Sequence, residues 1–379
     1  MNFEPYPFEK LNNLLKNIIP NPNLTPSILT IGEPQFETPA FIQKSLIDNA
    51  PLLKKYPKTG GEVNLREAIR AFVKRRFNTN LSDAELIPCF GTREVLFNFP
   101  QFLLFDIENP VMAYTNPFYQ IYEGAALATR SHVIHLNLTK ENNFKPKINE
   151  EELAECDLVI LNFPNNPTTS TLTLDELGVW VKLALKHKFV LLNDECYSEI
   201  YANTPSPSLL EASAHVGNSE FKNVLVINSI SKRSSAPGLR SGFIAGDKEI
   251  LKEYMKYRTY IGCASPLPLQ SAAAAAWNDE EHVIAARKIY KENFIIAKEI
   301  LGTEIPSATF YLWIEVKDAL EFTKKLYEKY NVKVLPGEFL ARDNRKEKNP
   351  GLGYIRIALV ENQEKTRSAL ERIKECLNG

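Results

Sequence analysis

Between residues 85 and 245, short runs rich in β-branched residues alternate with stretches of helical period, and this alternation constrains the fold more than any other feature. Runs at 111–115, 133–136, 158–163, 189–193, 224–228 and 242–245 read as strands. Stretches 94–105, 118–129 and 174–187 carry apolar residues at the spacing of one helix face. Strands joined by helices of this length pair in parallel, because a parallel return needs a crossover of a dozen or more residues. The expectation is therefore an α/β fold, with a mostly parallel sheet and helices on both faces. In such sheets ligands sit at the carboxyl ends of the strands. A reactive side chain just past a strand is thus better placed for chemistry than one inside a helix.

The chain of 379 residues has room for two or three units at roughly 100–200 residues each. From about Pro266 the pattern changes. Helical stretches at 267–277 and 280–301 precede a run at 310–316, a helix, runs at 332–335 and 354–359, and a last charged helix. That order predicts a small α+β domain with a long helix as connector. The first 30 or so residues, with Pro20, Pro22 and Pro26, read as an arm. The division expected is an arm and part of the small domain over 1–45, a large domain over 46–265, and the connecting helix with the small domain over 266–379. Residues 343–353 read as a polar, flexible loop.

Composition removes several classes of function. A formal net charge of −1 offers no basic face for nucleic acid. The N-terminus lacks the charged and apolar regions of a secretion signal, and no apolar run approaches the ~20 residues of a membrane span. Five scattered cysteines without a C-x-x-C pair point to free thiols in a reducing, cytoplasmic setting. His132 and His135 fall on opposite faces of one strand, so no metal site is expected.

The chemistry gathers after the strands. Lys232 follows the run 224–228 in Ser229-Ile230-Ser231-Lys232, and Arg240 comes eight residues later. Alone, a lysine in a hydroxyl-rich loop is most simply a solvated side chain. Its company alters that. Asp194 and Tyr197 follow 189–193, Asn166 follows 158–163, and Gly91-Thr92 opens a helix whose free N–H groups suit a phosphate.

These residues form N-x-P-x-N-P-T at 162–168, D-E-x-Y at 194–197, S-x-S-K-x₇-R at 229–240 and Y-x₃-G-x₄-L-R from Tyr56 to Arg66. In them the chain resembles the fold-type I, class I/II aminotransferases, which depend on pyridoxal 5′-phosphate (PLP), over nearly its whole length. The resemblance implies a seven-stranded, mostly parallel sheet in the large domain and a small α+β domain closing over substrate. It implies that Lys232 carries PLP as a Schiff base, that Asp194 pairs with the pyridine nitrogen, and that Tyr197 and Asn166 bond the phenolic oxygen. Tyr119 would stack on the ring. Gly91, Thr92, Arg93, Ser229, Ser231 and Arg240 would surround the phosphate, with Tyr56 reaching it from the partner of a homodimer. Arg356 would grip the substrate α-carboxylate, helped by Gly32 and Asn166.

Each assignment has a physical basis. A buried aspartate favours the protonated pyridine that makes PLP an electron sink. A lysine acts as a base only when neutral, which the cations around it promote. A guanidinium fork matches a carboxylate as an ammonium cannot.

Longer stretches resemble bacterial N-succinyl-L,L-diaminopimelate aminotransferases: PYPFEKL at 5–11, GTRE at 91–94, NPFYQIYEG at 116–124, SKRS at 231–234, PGLRSGF at 237–243 and LPGEFLAR at 335–342. The implied reaction moves an amino group between glutamate and N-succinyl-2-amino-6-oxopimelate, on the route to diaminopimelate and lysine. Its additional carboxylates call for further cations, and Arg93, Lys58, Arg233 and Arg342 are the candidates. Arg342 comes first, because it opens the 343–353 loop and loops gate substrates. Rival readings are an aspartate- or alanine-type aminotransferase, a PLP lyase of the same fold, and a PLP-sensing regulator. The last needs a DNA-binding module, for which the first ten residues leave no room.

Overall fold

The computed structural model describes residues 3–344 and 347–379, so part of the 343–353 loop lies outside the described residues. Seven strands build the main sheet: β1 Leu86–Cys89, β2 Val111–Asn116, β3 His132–Asn137, β4 Leu158–Leu161, β5 Val190–Asp194, β6 Val224–Ser229 and β7 Gly242–Gly246. Their spatial order is β1-β7-β6-β5-β4-β2-β3. Strands β2 to β6 pair in parallel, and β7 is antiparallel to both of its neighbours. The predicted α/β sheet is observed.

Central strands are apolar on both sides because helices cover both faces. In β4, Val159 and Leu161 join the core that holds Phe72, Trp180 and Trp277. Leu158 and Ile160 point the other way, toward Phe99, Tyr122 and Tyr254. Burying one such side chain contributes about 1.5–3 kcal/mol, so the register of each strand is strongly specified. The helix Leu267–Asn278, with Ala272, Ala273, Ala276 and Trp277, packs into the first of these cores.

A second sheet combines β8 Tyr311–Glu315, β9 Leu335–Pro336 and β10 Tyr354–Ala358 in the antiparallel order β9-β10-β8. Helices Glu281–Leu301, Ala319–Tyr330 and Gln363–Asn378 cover it with a core of Leu312, Leu326, Ile355, Ile357 and Leu370. The run predicted over 332–335 divides. Val332 and Lys333 pair in parallel with Ser27 and Ile28, while Leu335 and Pro336 pair with Arg356 and Ile355. Pro336 has no N–H to donate and sits in an edge strand, where none is needed.

The N-terminal stretch is more ordered than an arm. Pro7–Leu15 is a helix with proline at its first position, where its missing N–H costs nothing. It buries Leu11 and Leu15 against Leu335 and Leu340. No helix among the described residues is long and apolar enough to cross a membrane.

Candidate active site

The carboxyl ends of β1, β2, β4, β5 and β6 open on a cavity of about 770 Å³, closed from the other side by Tyr6, Gly32, Tyr311, Leu340 and Arg356. Eleven of the predicted site residues line it besides Gly32: Thr92, Arg93, Tyr119, Asn166, Asp194, Tyr197, Ser229, Ser231, Lys232, Arg240 and Arg356.

Asp194 ends β5 on the cavity floor and is buried. Its Oδ1 accepts from the Cys196 N–H at 3.2 Å and its Oδ2 from the Tyr122 hydroxyl at 2.9 Å. Burial still holds its carboxyl above the usual aspartate range, against those donors and the Lys232 charge. A cation placed against it would restore the ionised form.

The next feature is an anion cradle. Gly91 caps the helix Thr92–Leu103 with φ 75°, a left-handed conformation natural to glycine. A Cβ there would lie 2.2 Å from Nη2 of Arg240, so glycine also lets that guanidinium approach. Arg240 donates to the Pro237 carbonyl at 2.9 Å and forms no ion pair among the described residues. Beside it the Ser229 and Ser231 hydroxyls lie 2.8 Å apart. A helix start, two hydroxyls and an uncompensated guanidinium match the chemistry of a phosphate.

Lys232 donates from Nζ to the Gly32 carbonyl, which links the 229–240 segment to the strap formed by residues 29–39, between the strand Ser27–Ile28 and the helix Ala40–Asn49. Arg356, on β10, is 4% exposed, yet no carboxylate meets it among the described residues. Its Nη1 donates to Oδ1 of Asn166 at 2.8 Å and its Nη2 to the Thr30 carbonyl at 2.6 Å, while Nε is buried without a hydrogen-bond partner among the described residues. The guanidinium lies 4.4 Å from the centre of the Tyr311 ring. Tyr311 in turn shares a 2.9 Å hydrogen bond with Tyr197, whose hydroxyl is driven up by burial and by this neighbour.

A second cation enters from the first helical turn. Nε of Arg93 donates to the Tyr119 hydroxyl at 2.7 Å, and Arg93 likewise has no carboxylate partner among the described residues.

Three expectations about substrate-reading cations are corrected. Arg342 is held by Glu123 at 2.8 and 2.7 Å, so its charge is already compensated, and it does not line the cavity. Arg233 is 1% exposed, pairs with Glu280 at 2.9 Å and does not line the cavity. Lys58 is exposed and lies 3.8 Å from Glu62. Of the four candidates only Arg93 reaches the cavity. Tyr56 stands apart from the other predicted residues, 100% exposed on the surface of the chain.

Sequence reasoning missed Tyr122, Tyr311 and the place of Tyr6 in the site. Tyr122 carried a usable signal, since it lies one helical turn beyond Tyr119. Tyr311 carried none, because its contacts with Tyr197 span 114 positions.

A mostly parallel sheet with a lysine, a buried carboxylate and two uncompensated guanidiniums at its strand ends defines a fold-type I PLP enzyme. The chain matches the family described as aminotransferase class I and II over residues 27–373, and it belongs to that family. It is a PLP-dependent aminotransferase. The crystal structure of aminotransferase AspB from Helicobacter pylori shares 52% identity with a TM-score of 0.96, and all of both chains is covered. An aminotransferase from Neisseria meningitidis shares 40% identity with a TM-score of 0.94, covering 99% of this chain and 98% of that one. The LL-diaminopimelate aminotransferase of Natranaerobius thermophilus is 30% identical over 400 residues, 99% of this chain and 97% of that protein.

Proposed function

We propose that this aminotransferase acts on N-succinyl-L,L-diaminopimelate with 2-oxoglutarate as the partner oxo acid. The observation that carries the reading is a pair of cations, Arg356 and Arg93, that line one cavity without a carboxylate partner among the described residues. A substrate with an α-carboxylate and a second acidic group supplies what both lack. The resemblance at 5–11, 116–124 and 335–342 points to the succinylated compound, and relatives named for LL-diaminopimelate support the same carbon skeleton.

The residues present fit PLP. The Thr92 helix start, Ser229, Ser231 and Arg240 suit its phosphate, Asp194 its ring nitrogen, Tyr119 its ring face, and Tyr197 and Asn166 its phenolic oxygen. Lys232 would tether it. When bound, PLP supplies the electron sink that lets the substrate Cα–H bond break. Asp194, held by Tyr122 and the Cys196 N–H, keeps a positive charge at the ring nitrogen. Arg356 clamps the α-carboxylate and sets which Cα bond is presented, while Asn166 and Tyr311 hold its fork in place. Lys232 Nζ then takes the Cα proton and hands it on. Closure of the small domain, read as 266–379 with part of 1–45, excludes water from the site. Tyr56 completes it from a second copy of the chain, in a homodimer in the cytoplasm.

Arg93, with the Tyr119 hydroxyl beside it, reads the distal acid. Replacing Arg93 by Met removes hydrogen bonds to a charged group, worth about 1.5–3 kcal/mol, so KM for the succinylated substrate rises about 10- to 100-fold. Arg342→Ala leaves that KM unchanged. The decisive assay follows 2-oxoglutarate release from glutamate with the succinylated oxo substrate, beside aspartate, alanine and unsuccinylated LL-diaminopimelate as donors. Rapid turnover of aspartate and none of the succinylated compound would refute the assignment. It would leave a dicarboxylic-acid aminotransferase, whose substrates also satisfy the two cations.

A further inference from the structure

The two residues that follow Lys232 are both tied to one distant turn. The guanidinium of Arg233 lies over the contacting rings of Phe72 and Trp277, 5.0 and 5.1 Å from their centres. It donates to the Ala276 carbonyl at 2.8 Å, the Asp279 carbonyl at 3.2 Å and Glu280 at 2.9 Å. It therefore satisfies the carbonyl end of the helix Leu267–Asn278. Ser234 is buried and meets Nε2 of His282 at 2.8 Å, while Nδ1 of His282 meets Oδ1 of Asp279.

The tautomer follows from the partners. An ionised carboxylate only accepts, so His282 carries its proton on Nδ1. Nε2 then offers a lone pair, and the Ser234 hydroxyl donates to it. The result is an ordered chain, Ser234 to His282 to Asp279. It resembles a hydrolytic triad in its order alone, because Ser234 is buried and lines no cavity of the described site.

Location gives this chain its meaning. His282 lies in the first turn of the helix Glu281–Leu301, which continues into the core of the small α+β unit through Phe294, Ala297 and Ile300. The turn at 279–282 is thus where the large-sheet core hands over to the small unit, and Lys232 is two residues from a hydrogen bond to it.

We propose that His282 is a positioning residue for Lys232: through Ser234 it fixes the carboxyl side of the lysine segment to the start of the connecting helix. The inference rests on Lys232 being the cofactor lysine. The groups facing His282 are Asp279 and Glu280 from its own turn, Arg233 from the lysine segment, Arg75 of the helix Val63–Phe77 through Glu280, and the ring of Phe41 at 5.5 Å. Burial, opposed by Asp279, keeps the imidazole below its ordinary pKa. The neutral form needed to accept from Ser234 is therefore the resting one. Acidification adds a proton at Nε2, removes the lone pair, and frees Ser234.

The test uses the PLP-loaded enzyme. His282→Ala should lower kcat by between about tenfold and a hundredfold, the cost of a small displacement at a reacting group. It should also move the pH midpoint of the visible cofactor absorbance by about 0.5 pH unit or more. His282→Gln, whose amide both donates to Asp279 and accepts from Ser234 but does not titrate, should recover most of the lost kcat and flatten the acid limb of the rate profile. A His282→Ala protein with lowered melting temperature but unchanged kcat and absorbance midpoint would show a purely structural histidine and overturn the proposal. Should that variant not fold, Ser234→Ala removes a single hydroxyl and must show the same two changes; wild-type values there overturn it equally. Borohydride reduction and peptide mapping keep the two readings apart. A label on another lysine refutes the Lys232 assignment, whereas a label on Lys232 with unaltered variants refutes only the role of His282.

Discussion

Gly32 offers a sharp test of how the substrate end of the site is built. It is buried, and a Cβ built there would lie 1.7 Å from the Tyr311 hydroxyl oxygen, 2.6 Å from its Cζ and 3.0 Å from Phe310. An ordinary contact needs about 3.4 Å or more, so Gly32→Ala must displace Tyr311 or the strap by well over 1 Å. Tyr311 cannot move freely, since its hydroxyl bonds Tyr197 and its ring supports Arg356. Overpacking of this kind costs about 1–3 kcal/mol, and loss of the tyrosine pair adds about 1 kcal/mol. Arg356 loses its platform in the same event, so KM for both substrates should rise about tenfold, with the larger effect in kcat/KM. Denaturant unfolding and steady-state kinetics measure the two consequences. Gly238→Ala is the control, because a Cβ there meets nothing within 4 Å and should change stability by less than about 0.5 kcal/mol. A Gly32→Ala enzyme with wild-type stability and wild-type KM would refute the argument that Tyr311 and Arg356 form one packed unit with the strap.

Three further outcomes are expected. Glu195 is buried beside Asp194; its Oε1 accepts from the Leu209 N–H, Ser208 and Asn193, its Oε2 has no hydrogen-bond partner among the described residues, and burial pushes its carboxyl to about 8 from an ordinary 4.5. The folded state therefore keeps a proton that the unfolded chain releases, and stability falls as pH rises from about 4.5 to 8, by at most about 5 kcal/mol. Glu195→Gln should lose that slope, and unfolding free energies that fall equally for both proteins across this window would contradict the shift. Arg233→Ala should cost about 2–5 kcal/mol by removing the donor to the Ala276 and Asp279 carbonyls and the packing on Phe72 and Trp277, while Glu280 keeps Arg75, and a change below about 1 kcal/mol in chemical unfolding would count against it. Asp194→Asn should lower kcat by about a hundredfold or more while leaving the fold intact by circular dichroism, and near-normal turnover would remove Asp194 from the cofactor site.

Much of the fold was readable because its signals are local. The stretch 174–187 begins at a capping box of Thr173 and Glu176 and carries an apolar stripe, and the helix Leu174–His187 matches it. Strand runs at 111–115, 158–163 and 224–228 were legible as continuous apolar segments, since both faces of each are covered. Around Arg66 a helix pattern is legible without its bounds; three basic residues in the last turn and a polar exposed face blur the stripe of Leu65, Ala68, Ile69, Phe72 and Val73 in the helix Val63–Phe77. Pro20, Pro22 and Pro26 make the first 30 residues read as an arm, but the helix Pro7–Leu15 precedes all three and is held by leucines of the small unit.

The candidate site divides along the same line. Lys232, Asp194, Asn166 and Thr92 were found because each follows its own strand within a few residues, and a parallel sheet delivers all such ends to one edge. That much the order of residues determined alone. What remained hidden was the partner of each charge. Arg342 and Arg93 look alike in the chain, but Glu123 compensates the first from 219 positions away and no carboxylate among the described residues meets the second. Arg356 is held by Asn166, Thr30 and Tyr311, none of which neutralises it. Whether a charge is spent or available depends on contacts between distant segments, and only the tertiary structure decides which segments meet.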